Sequence, residues 1–308
     1  MFKLKTNHFL TGTEISREEL AQLIAYAEEL RVQRREGQSP QVLSGRHIAL
    51  LFEKPSLRTR VSFTVATQEL GGQVVELMST VRKKEEPEDT IQVLAGYCHA
   101  VMMRTHEHSN LERMVKKTSI PIINGLSDAH HPCQALADIQ TLQQRYGYLK
   151  GLKLAYVGDG NNVLHSLMLL APYLGIEVHY ACPTGYEPNA FILRQAKSRA
   201  KEGGGQVVGT TDPIKAVTGA NAIYTDVWTS MGFEEEENDR EKVFGDYQVN
   251  EELCGHADAR AAIMHCMPMV RGKEITETVA DSENAVLFQQ SENRLHAQKA
   301  LLVGMMSK

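Results

Sequence analysis

The chain has 308 residues, of which 42% are apolar, and this composition is typical of a globular protein with roughly two domains of about 150 residues each. A formal net charge of -5 provides no general positive field for nucleic acid or anionic lipid, so any phosphate must be bound by a local basic site. Five widely spaced cysteines fit free thiols in a reducing compartment, and no segment has the ~20 apolar residues of a membrane span, so we expect a cytoplasmic protein.

The first half of the chain predicts strands that alternate with helices. A capped helix is expected over residues 15–36, where Ser16 precedes two acidic residues in the first turn. The apolar run 47–52 predicts a strand, and a helix is expected over residues 58–70. Further strands are predicted at 73–77, 100–103 and 120–123, with helices that begin at Asp89, Leu111 and Pro132. Continuous apolar strands that alternate with helices are typical of a parallel sheet covered by helices on both faces.

A second series of strands and helices begins after the helix predicted at 132–146. That helix ends in Gly147 and a charged turn, so we place a domain boundary there, between residues 147 and 148. Strands are predicted at 152–157, 177–181, 222–225 and 261–264, and a short final strand around 285–287 precedes a helix over about 292–306.

The loops that follow the strands carry the polar residues, and ligands of open α/β sheets lie beyond the carboxyl ends of strands. The segment from Ser56 to Arg60 places hydroxyls, backbone N–H groups and two guanidiniums at a helix start, which suits a phosphate; a capped helix with solvent-facing arginines is equally compatible. Arg104 follows another strand, where a lone arginine is more often part of a surface ion pair. His131 and Gln134 lie one helical turn apart and can face one ligand.

Three motifs occur in the order and at the spacing of one known family. Ser-Leu-Arg-Thr-Arg at 56–60, His-Pro-Cys-Gln at 131–134 and His-Cys-Met-Pro at 265–268 resemble the aspartate and ornithine carbamoyltransferases, and the likeness covers nearly the whole chain. The resemblance implies an α/β fold of two domains, each a mostly parallel sheet with helices on both faces. It assigns residues 1–147 to carbamoyl phosphate and 148–308 to ornithine, with the last helix, about 292–306, packing back on the first domain. A homotrimer with active sites at subunit interfaces is implied, and no metal or cofactor is expected.

The resemblance also assigns the carbamoyl phosphate contacts. Arginines and helix-start amides can bind a dianionic phosphate, and negative charge that develops on the carbonyl oxygen needs a hydrogen-bond donor. Arg104, His131 and Thr59 are candidates for that role, and Arg104 and His131 are expected to be catalytic. The full set is Ser56, Leu57 through its backbone, Arg58, Thr59, Arg104, His131, Gln134 and Arg294.

The acceptor is predicted from the second half of the chain. The string Asp-Val-Trp-Thr-Ser-Met-Gly at 226–232 resembles the ornithine branch of the family, and an anionic Asp226 suits a cationic amino acid. The expected reaction is carbamoyl transfer from carbamoyl phosphate to the δ-amine of L-ornithine, in arginine biosynthesis or a catabolic arginine pathway. Asp226 and Cys266 are expected to help remove a proton from the δ-ammonium. The implied ornithine contacts are Asn162, Asp226, Ser230, Met231, Cys266 and Met267.

The sequence departs from the family pattern at a few positions. Leu57 replaces a common Thr and Met267 a common Leu, and neither change is expected to matter because the backbone N–H and the side-chain volume are kept. Met269 and Val270 replace a small residue and a His, which leaves N-acetylornithine, succinylornithine and putrescine open as acceptors.

Two other classes of protein predict sequence features that differ from those of the transferase. A nucleotide-linked oxidoreductase should carry G-x-G-x-x-G, which the segment 158–163 lacks. A non-catalytic ligand-binding relative should have lost Arg58, His131 or Cys266, and all three are present. The sequence therefore favours the enzyme.

Overall fold

The computed structural model describes residues 2–78, 85–229 and 237–307. The chain forms two compact units, one of residues 1–140 together with 292–308 and the other of residues 141–291. Each unit contains a five-stranded sheet in which all the paired strands are parallel. The predicted α/β class is confirmed. The predicted boundary between residues 147 and 148 stays a prediction.

The first unit is built around a sheet of strand order β1-β5-β4-β2-β3. Its strands are β1 His8–Phe9, β2 His47–Phe52, β3 Gln73–Met78, β4 Ala100–Arg104 and β5 Ile122–Leu126. The helices that begin in it are α1 Arg17–Arg35, α2 Arg58–Glu69, α3 Pro87–Ala95, α4 His108–Val115 and α5 Pro132–Tyr146. Every residue of β4 is buried, which is why it reads as a continuous apolar run up to its last residue.

The second unit has the strand order β10-β9-β6-β7-β8. Its strands are β6 Lys153–Val157, β7 Glu177–Ala181, β8 Gln206–Thr210, β9 Ala222–Thr225 and β10 Ala262–His265. The helices are α6 Asn162–Leu170, α7 Ala190–Gly203, α8 Pro213–Val217, α9 Glu237–Phe244, α10 Glu251–Cys254 and α11 Glu277–Ala280, and the last helix, α12 Leu287–Met306, begins here.

Strand register brings the polar loops of each unit together. In the first unit Arg104 of β4 pairs with Phe52 of β2 and with Leu126 of β5, so the loops after these three strands share one edge. In the second unit His265 pairs with Thr225, and Tyr224 pairs with Tyr156, which aligns the loops after β10, β9 and β6. In both sheets the strand order reverses beside these loops, between β2 and β4 and between β6 and β9. Such a switch point is where open α/β sheets bind ligands.

Some predicted elements differ from the structure. The strand predicted at 285–287 is wrong, because Ala285 forms only an isolated bridge with Ile263 and α12 begins at Leu287. The strand β8 was not predicted, since Val207 is its only buried residue and the segment has no continuous apolar run. The strand predicted at 120–123 runs over Ile122–Leu126 instead, and includes the polar residue Asn124.

The last helix returns to the first unit, as predicted. Residues 292–308 belong to that unit, and the backbone N–H of Leu4 donates to the carbonyl of Gly304 at 2.8 Å. A Cβ at Gly304 would lie 2.7 Å from the Phe2 ring and 2.9 Å from Leu4, so the close approach requires glycine. Within the described residues, no helix is long and apolar enough to span a membrane.

A buried lysine fixes α12 further along. Lys299 is fully buried, and its Nζ donates to Glu69 Oε2 and to Ser39 Oγ, each at 2.9 Å. Arg34 also donates to Glu69, at 2.8 Å. Burial raises the pKa of Glu69, but the hydrogen bonds from Lys299 and Arg34 outweigh burial, so that its pKa is lowered overall. The carboxylate therefore stays charged beside the buried ammonium.

We expect Glu69→Gln to lower the free energy of unfolding by about 3 kcal/mol, because it leaves the buried Lys299 without its counter-charge. Lys299→Met should cost less, since Glu69 keeps Arg34 as a partner. Urea unfolding of both variants measures the difference, with Asp281→Asn, which removes an exposed ion pair with Arg271, as the control. An equal loss in the two variants would contradict this account.

Candidate active site

The phosphate-binding segment predicted at 56–60 lies at the start of α2. The helix begins at Arg58, and no side chain caps it, because Leu57 occupies the N-cap position. Leu57 is 72% exposed, so an apolar side chain lies in solvent at this position. An uncapped helix start offers backbone N–H groups and the positive end of the helix dipole to an anion.

Three residues predicted to bind one ligand meet in the first unit, although they come from three helices. Arg294 of α12 donates from Nη1 to Gln134 Oε1 at 3.0 Å and from Nη2 to Thr59 Oγ1 at 2.7 Å. The Gln134 amide is oriented in turn by Asp138, whose Oδ1 accepts from Gln134 Nε2 at 2.8 Å. Arg294 is only 2% exposed, so its guanidinium is held in a defined position within the protein.

Arg104 and His131 complete this cluster. Arg104 is buried at the end of β4, next to a register shift in its pairing with β5, and its Nη1 lies 3.4 Å from Ser56 Oγ. His131 is buried and immediately precedes α5. Burial lowers the pKa of His131 well below its ordinary value, and the positive charges of Arg294, Arg104 and Arg58 lower it further. The imidazole is therefore neutral near pH 7, while three arginines make its surroundings positive.

Two residues that sequence analysis missed hold these loops in place. Glu53 accepts from Thr105 Oγ1 at 2.6 Å and from the backbone N–H of His106 at 3.0 Å, which ties the loop after β4 to the loop after β2. Asn124 is fully buried and its Nδ2 donates to the carbonyl of Leu10 at 2.8 Å. The partners of both residues are distant in the chain, so no local pattern indicates these contacts.

In the second unit, Asp226 is the centre of a hydrogen-bond cluster. Its Oδ1 accepts from the Cys266 thiol at 2.9 Å and from the backbone N–H of Val227 at 2.8 Å. Its Oδ2 accepts from Asn161 Nδ2 at 2.7 Å. The structure thus brings Asp226 and Cys266 together, as sequence analysis expected.

Asn161 was not predicted, although its neighbour Asn162 was. The Asn161 side chain caps α6 by accepting from the N–H groups of Val163 and Leu164, at 3.0 and 3.2 Å, while its amide nitrogen faces Asp226. Asn162 is the first residue of α6. The N-cap position of a helix after a strand is the signal that would have indicated Asn161.

The segment that carries Cys266 is fixed by His265 and Glu274. His265 Nε2 lies 3.0 Å from Glu274 Oε1, and its Nδ1 accepts from the backbone N–H of Met267 at 2.8 Å. Met267 has a φ of 59° and is followed by the cis bond to Pro268, so the chain turns sharply beside Cys266. Ligand atoms of Asp226, His265 and Cys266 lie within 4.8 Å of one another, but both ring nitrogens of His265 are already engaged. The geometry favours a positioning role for His265 over metal binding.

Other predictions in this unit have mixed outcomes. Trp228 is 7% exposed and stacks on Phe244 with ring centroids 6.1 Å apart, so its ring packs in the interior of this unit. Ser230 and Met231 lie outside the described residues.

Two models of one protein family match consecutive parts of the chain. Residues 7–144 match the model described as the carbamoyl-P binding domain of aspartate/ornithine carbamoyltransferase. Residues 150–305 match the model described as the Asp/Orn binding domain of the same family. The chain belongs to the aspartate/ornithine carbamoyltransferase family.

Individual relatives in the family are similar over nearly their whole length. The ornithine carbamoyltransferase of Anoxybacillus flavithermus is 47% identical over 307 residues, which cover 99% of this chain and 98% of that protein. The anabolic ornithine carbamoyltransferase of Pyrococcus furiosus is 46% identical over 288 residues, covering 92% and 91% of the two chains. A solved structure of ornithine carbamoyltransferase from Pyrococcus furiosus superposes with a TM-score of 0.94 at 44% identity, covering 97% of each chain.

The chain therefore contains two chemically distinct clusters, one in each unit. In the first unit, neutral His131 and the arginines around it can donate hydrogen bonds to an anion and to a polarised carbonyl oxygen. In the second unit, a carboxylate that already accepts from a thiol and an amide can accept from an ammonium group.

A pH-dependent loss of stability follows from the buried neutral His131. The unfolded chain binds a proton on this imidazole below about pH 6.5, whereas the folded protein resists that proton, so stability falls as the pH falls below about 6.5. When the pH is lowered from about 7.5 to about 5.5, the free energy of unfolding should fall less in His131→Gln than in wild type. Urea unfolding at both pH values tests this, with the exposed His256→Gln as control. Equal losses in wild type and His131→Gln would rule out this contribution.

Proposed function

We propose that this protein transfers the carbamoyl group of carbamoyl phosphate to the δ-amine of L-ornithine, giving L-citrulline and phosphate. The observation that carries the proposal is the Asp226 carboxylate, fixed by Cys266 and Asn161 at the carboxyl edge of β9 in a chain of this family. A buried anion at this position suits a cationic amino acid and disfavours aspartate. The relatives named above are ornithine carbamoyltransferases, which supports ornithine over N-acetylornithine, succinylornithine or putrescine.

Carbamoyl phosphate would bind to the cluster of the first unit. The α2 helix start and the arginines would hold the phosphate, and the carbonyl oxygen would accept from Arg104, neutral His131 or Thr59 as negative charge develops on it. The residues that we propose for this half of the site are Ser56, Leu57, Arg58, Thr59, Arg104, His131, Gln134 and Arg294, of which Arg104 and His131 are catalytic.

Ornithine would bind to the cluster of the second unit. The neutral δ-amine attacks the carbonyl carbon, the new C–N bond forms, the bond to the phosphate oxygen breaks, and the leaving phosphate takes the second proton from the nitrogen. The δ-ammonium must first lose a proton, and Asp226 with the hydrogen-bonded Cys266 thiol is proposed to assist that loss. The residues proposed here are Asn162, Asp226, Ser230, Met231, Cys266 and Met267, of which Asp226 and Cys266 are catalytic.

A homotrimer with active sites at subunit interfaces is part of the proposal. The edge strand β3 has a largely exposed face, and Val75 on it is 37% exposed. Next to it in the chain, α2 exposes Val61 to 51% and its N-cap Leu57 to 72%. Apolar side chains near an open sheet edge suit burial against another subunit. Sedimentation velocity would measure the number of subunits, and the cytoplasmic location remains a prediction from the sequence.

The acceptor panel tests the proposed function directly. Ornithine should be used far better than N-acetylornithine, putrescine or aspartate, because a site that pairs with a charged group typically rejects an analogue without it by ~10⁴-fold. Lysine should be the nearest competitor, since one methylene is worth only about 1 to 3 kcal/mol. The measurement is kcat/KM for all five amines at saturating carbamoyl phosphate. Preference for another amine would overturn the acceptor but keep carbamoyl transfer.

Cys266→Ser should lower kcat or raise the ornithine KM and leave the carbamoyl phosphate KM nearly unchanged, because the thiol contacts Asp226 in the acceptor cluster. Steady-state kinetics with each substrate varied in turn measures the two effects. Cys254→Ser is the matched control, since that thiol lies at the end of α10 and is only partly buried. Unchanged kinetics in Cys266→Ser would remove the thiol from the mechanism.

A further inference from the structure

Arg240 of α9 connects two loops that carry residues of the cluster around Asp226. Its Nη1 donates to Asp159 Oδ2 at 2.8 Å and to the carbonyl oxygen of Trp228 at 2.8 Å. The Arg240 side chain is 7% exposed and the Asp159 side chain 13% exposed, so this ion pair is largely shielded from water. The guanidinium also lies over the Tyr186 ring, 4.9 Å from its centroid. One buried side chain thus connects the loop after β6 with the loop after β9.

Those two loops carry Asn161 and Asp226, whose side chains contact each other. Asp159 lies two positions before Asn161, whose amide donates to Asp226. Trp228 lies two positions after Asp226. The loop after β6 is also packed tightly at Gly160, where a Cβ would lie 2.3 Å from the backbone nitrogen of Pro188. Arg240 therefore connects the loop that holds Asn161 with the loop that holds Asp226.

Arg240 also supplies a positive charge beside the carboxylates of Asp159 and Asp226. Burial raises the pKa of Asp159, and the nearby negative charge of Asp226 raises it further. The hydrogen bond and the positive charge of Arg240 lower it. Tyr156 and Cys182 also face Asp159, and burial raises the pKa of each, so both are neutral near pH 7. Among the described residues, Asp159 has an ion pair with Arg240, whereas Asp226 has an ion pair with no lysine or arginine.

We infer that Arg240 is a positioning residue for the acceptor site: it neutralises Asp159 and ties it to the Trp228 carbonyl, so that Asp226 is the carboxylate available to a cationic amino acid. The inference rests on the proposed function, because it concerns how ornithine is bound. Arg240 does not contact the reacting atoms in this account. It acts through the two loops that hold Asn161 and Asp226.

The experiment is a double-mutant cycle on Asp159 and Arg240 with ornithine and carbamoyl phosphate varied separately. Arg240→Met leaves a second buried carboxylate next to Asp226, and Asp159→Asn leaves a buried guanidinium without its counter-charge. We expect each single variant to raise the ornithine KM by roughly tenfold, with the carbamoyl phosphate KM little changed. The double variant restores neutrality, so its ornithine KM should lie closer to wild type than that of either single variant.

Controls separate positioning from general destabilisation. Arg199→Met removes a comparable arginine of the same unit, which stacks on Tyr173 and donates to the Leu169 carbonyl, and it should leave the ornithine KM unchanged. Arg240→Lys keeps the positive charge, and should raise the ornithine KM less than Arg240→Met. This variant also decides the question if Arg240→Met does not fold.

The outcomes distinguish the inference from the function on which it rests. A wild-type protein that forms no citrulline overturns the proposed function and this inference with it. An active wild type with an unchanged ornithine KM in Arg240→Met overturns the inference alone. A double variant as impaired as the product of the two single effects, or Arg240→Lys as impaired as Arg240→Met, would also overturn it.

Discussion

Parallel strand pairing is the constraint on which both polar clusters depend. Because every strand pair in the two sheets is parallel, the carboxyl ends of neighbouring strands lie at one edge. The residues after β2, β4 and β5 meet in the first unit, and those after β6, β9 and β10 meet in the second. The reversal of strand order beside these loops leaves room for a ligand at that edge. The chemistry of each cluster then depends on which side chains the loops carry.

The two clusters are opposite in charge, and each charge is held by specific hydrogen bonds. In the first unit, arginines that come from α2, β4 and α12 surround an imidazole that they help to keep neutral. In the second unit, a carboxylate accepts from a thiol, an amide and a backbone N–H. Buried charges contribute little net stability and are costly when a partner is lost. Their concentration at the strand ends therefore points to binding and catalysis, in agreement with the family to which the chain belongs.

The last helix places Arg294 in the polar cluster of the first unit. Arg294 reaches Thr59 and Gln134 only because α12 returns to the first unit, and Lys299 and Gly304 on the same helix hold it there. Because these contacts hold α12 in place, the position of the Arg294 guanidinium is set by the helix and not by a loop. The same principle applies in the second unit, where the buried Arg240 and the His265–Glu274 pair fix the segments around Asp226 and Cys266.

The sequence by itself determined the fold class, most strand positions and the motif residues, since buried parallel strands are continuous apolar runs and the motifs lie in the loops after them. Strand β2 and strands β7 and β9 match their predicted bounds. Only the tertiary structure identified Arg240 and the contact between Asn161 and Asp226, because the paired residues lie 81 and 65 positions apart in the chain. It likewise showed that β8 is a strand, since pairing with β7 forms it despite its weak apolar pattern. Strand order and strand register determine which distant residues meet. Local residue patterns specify neither the strand order nor the register.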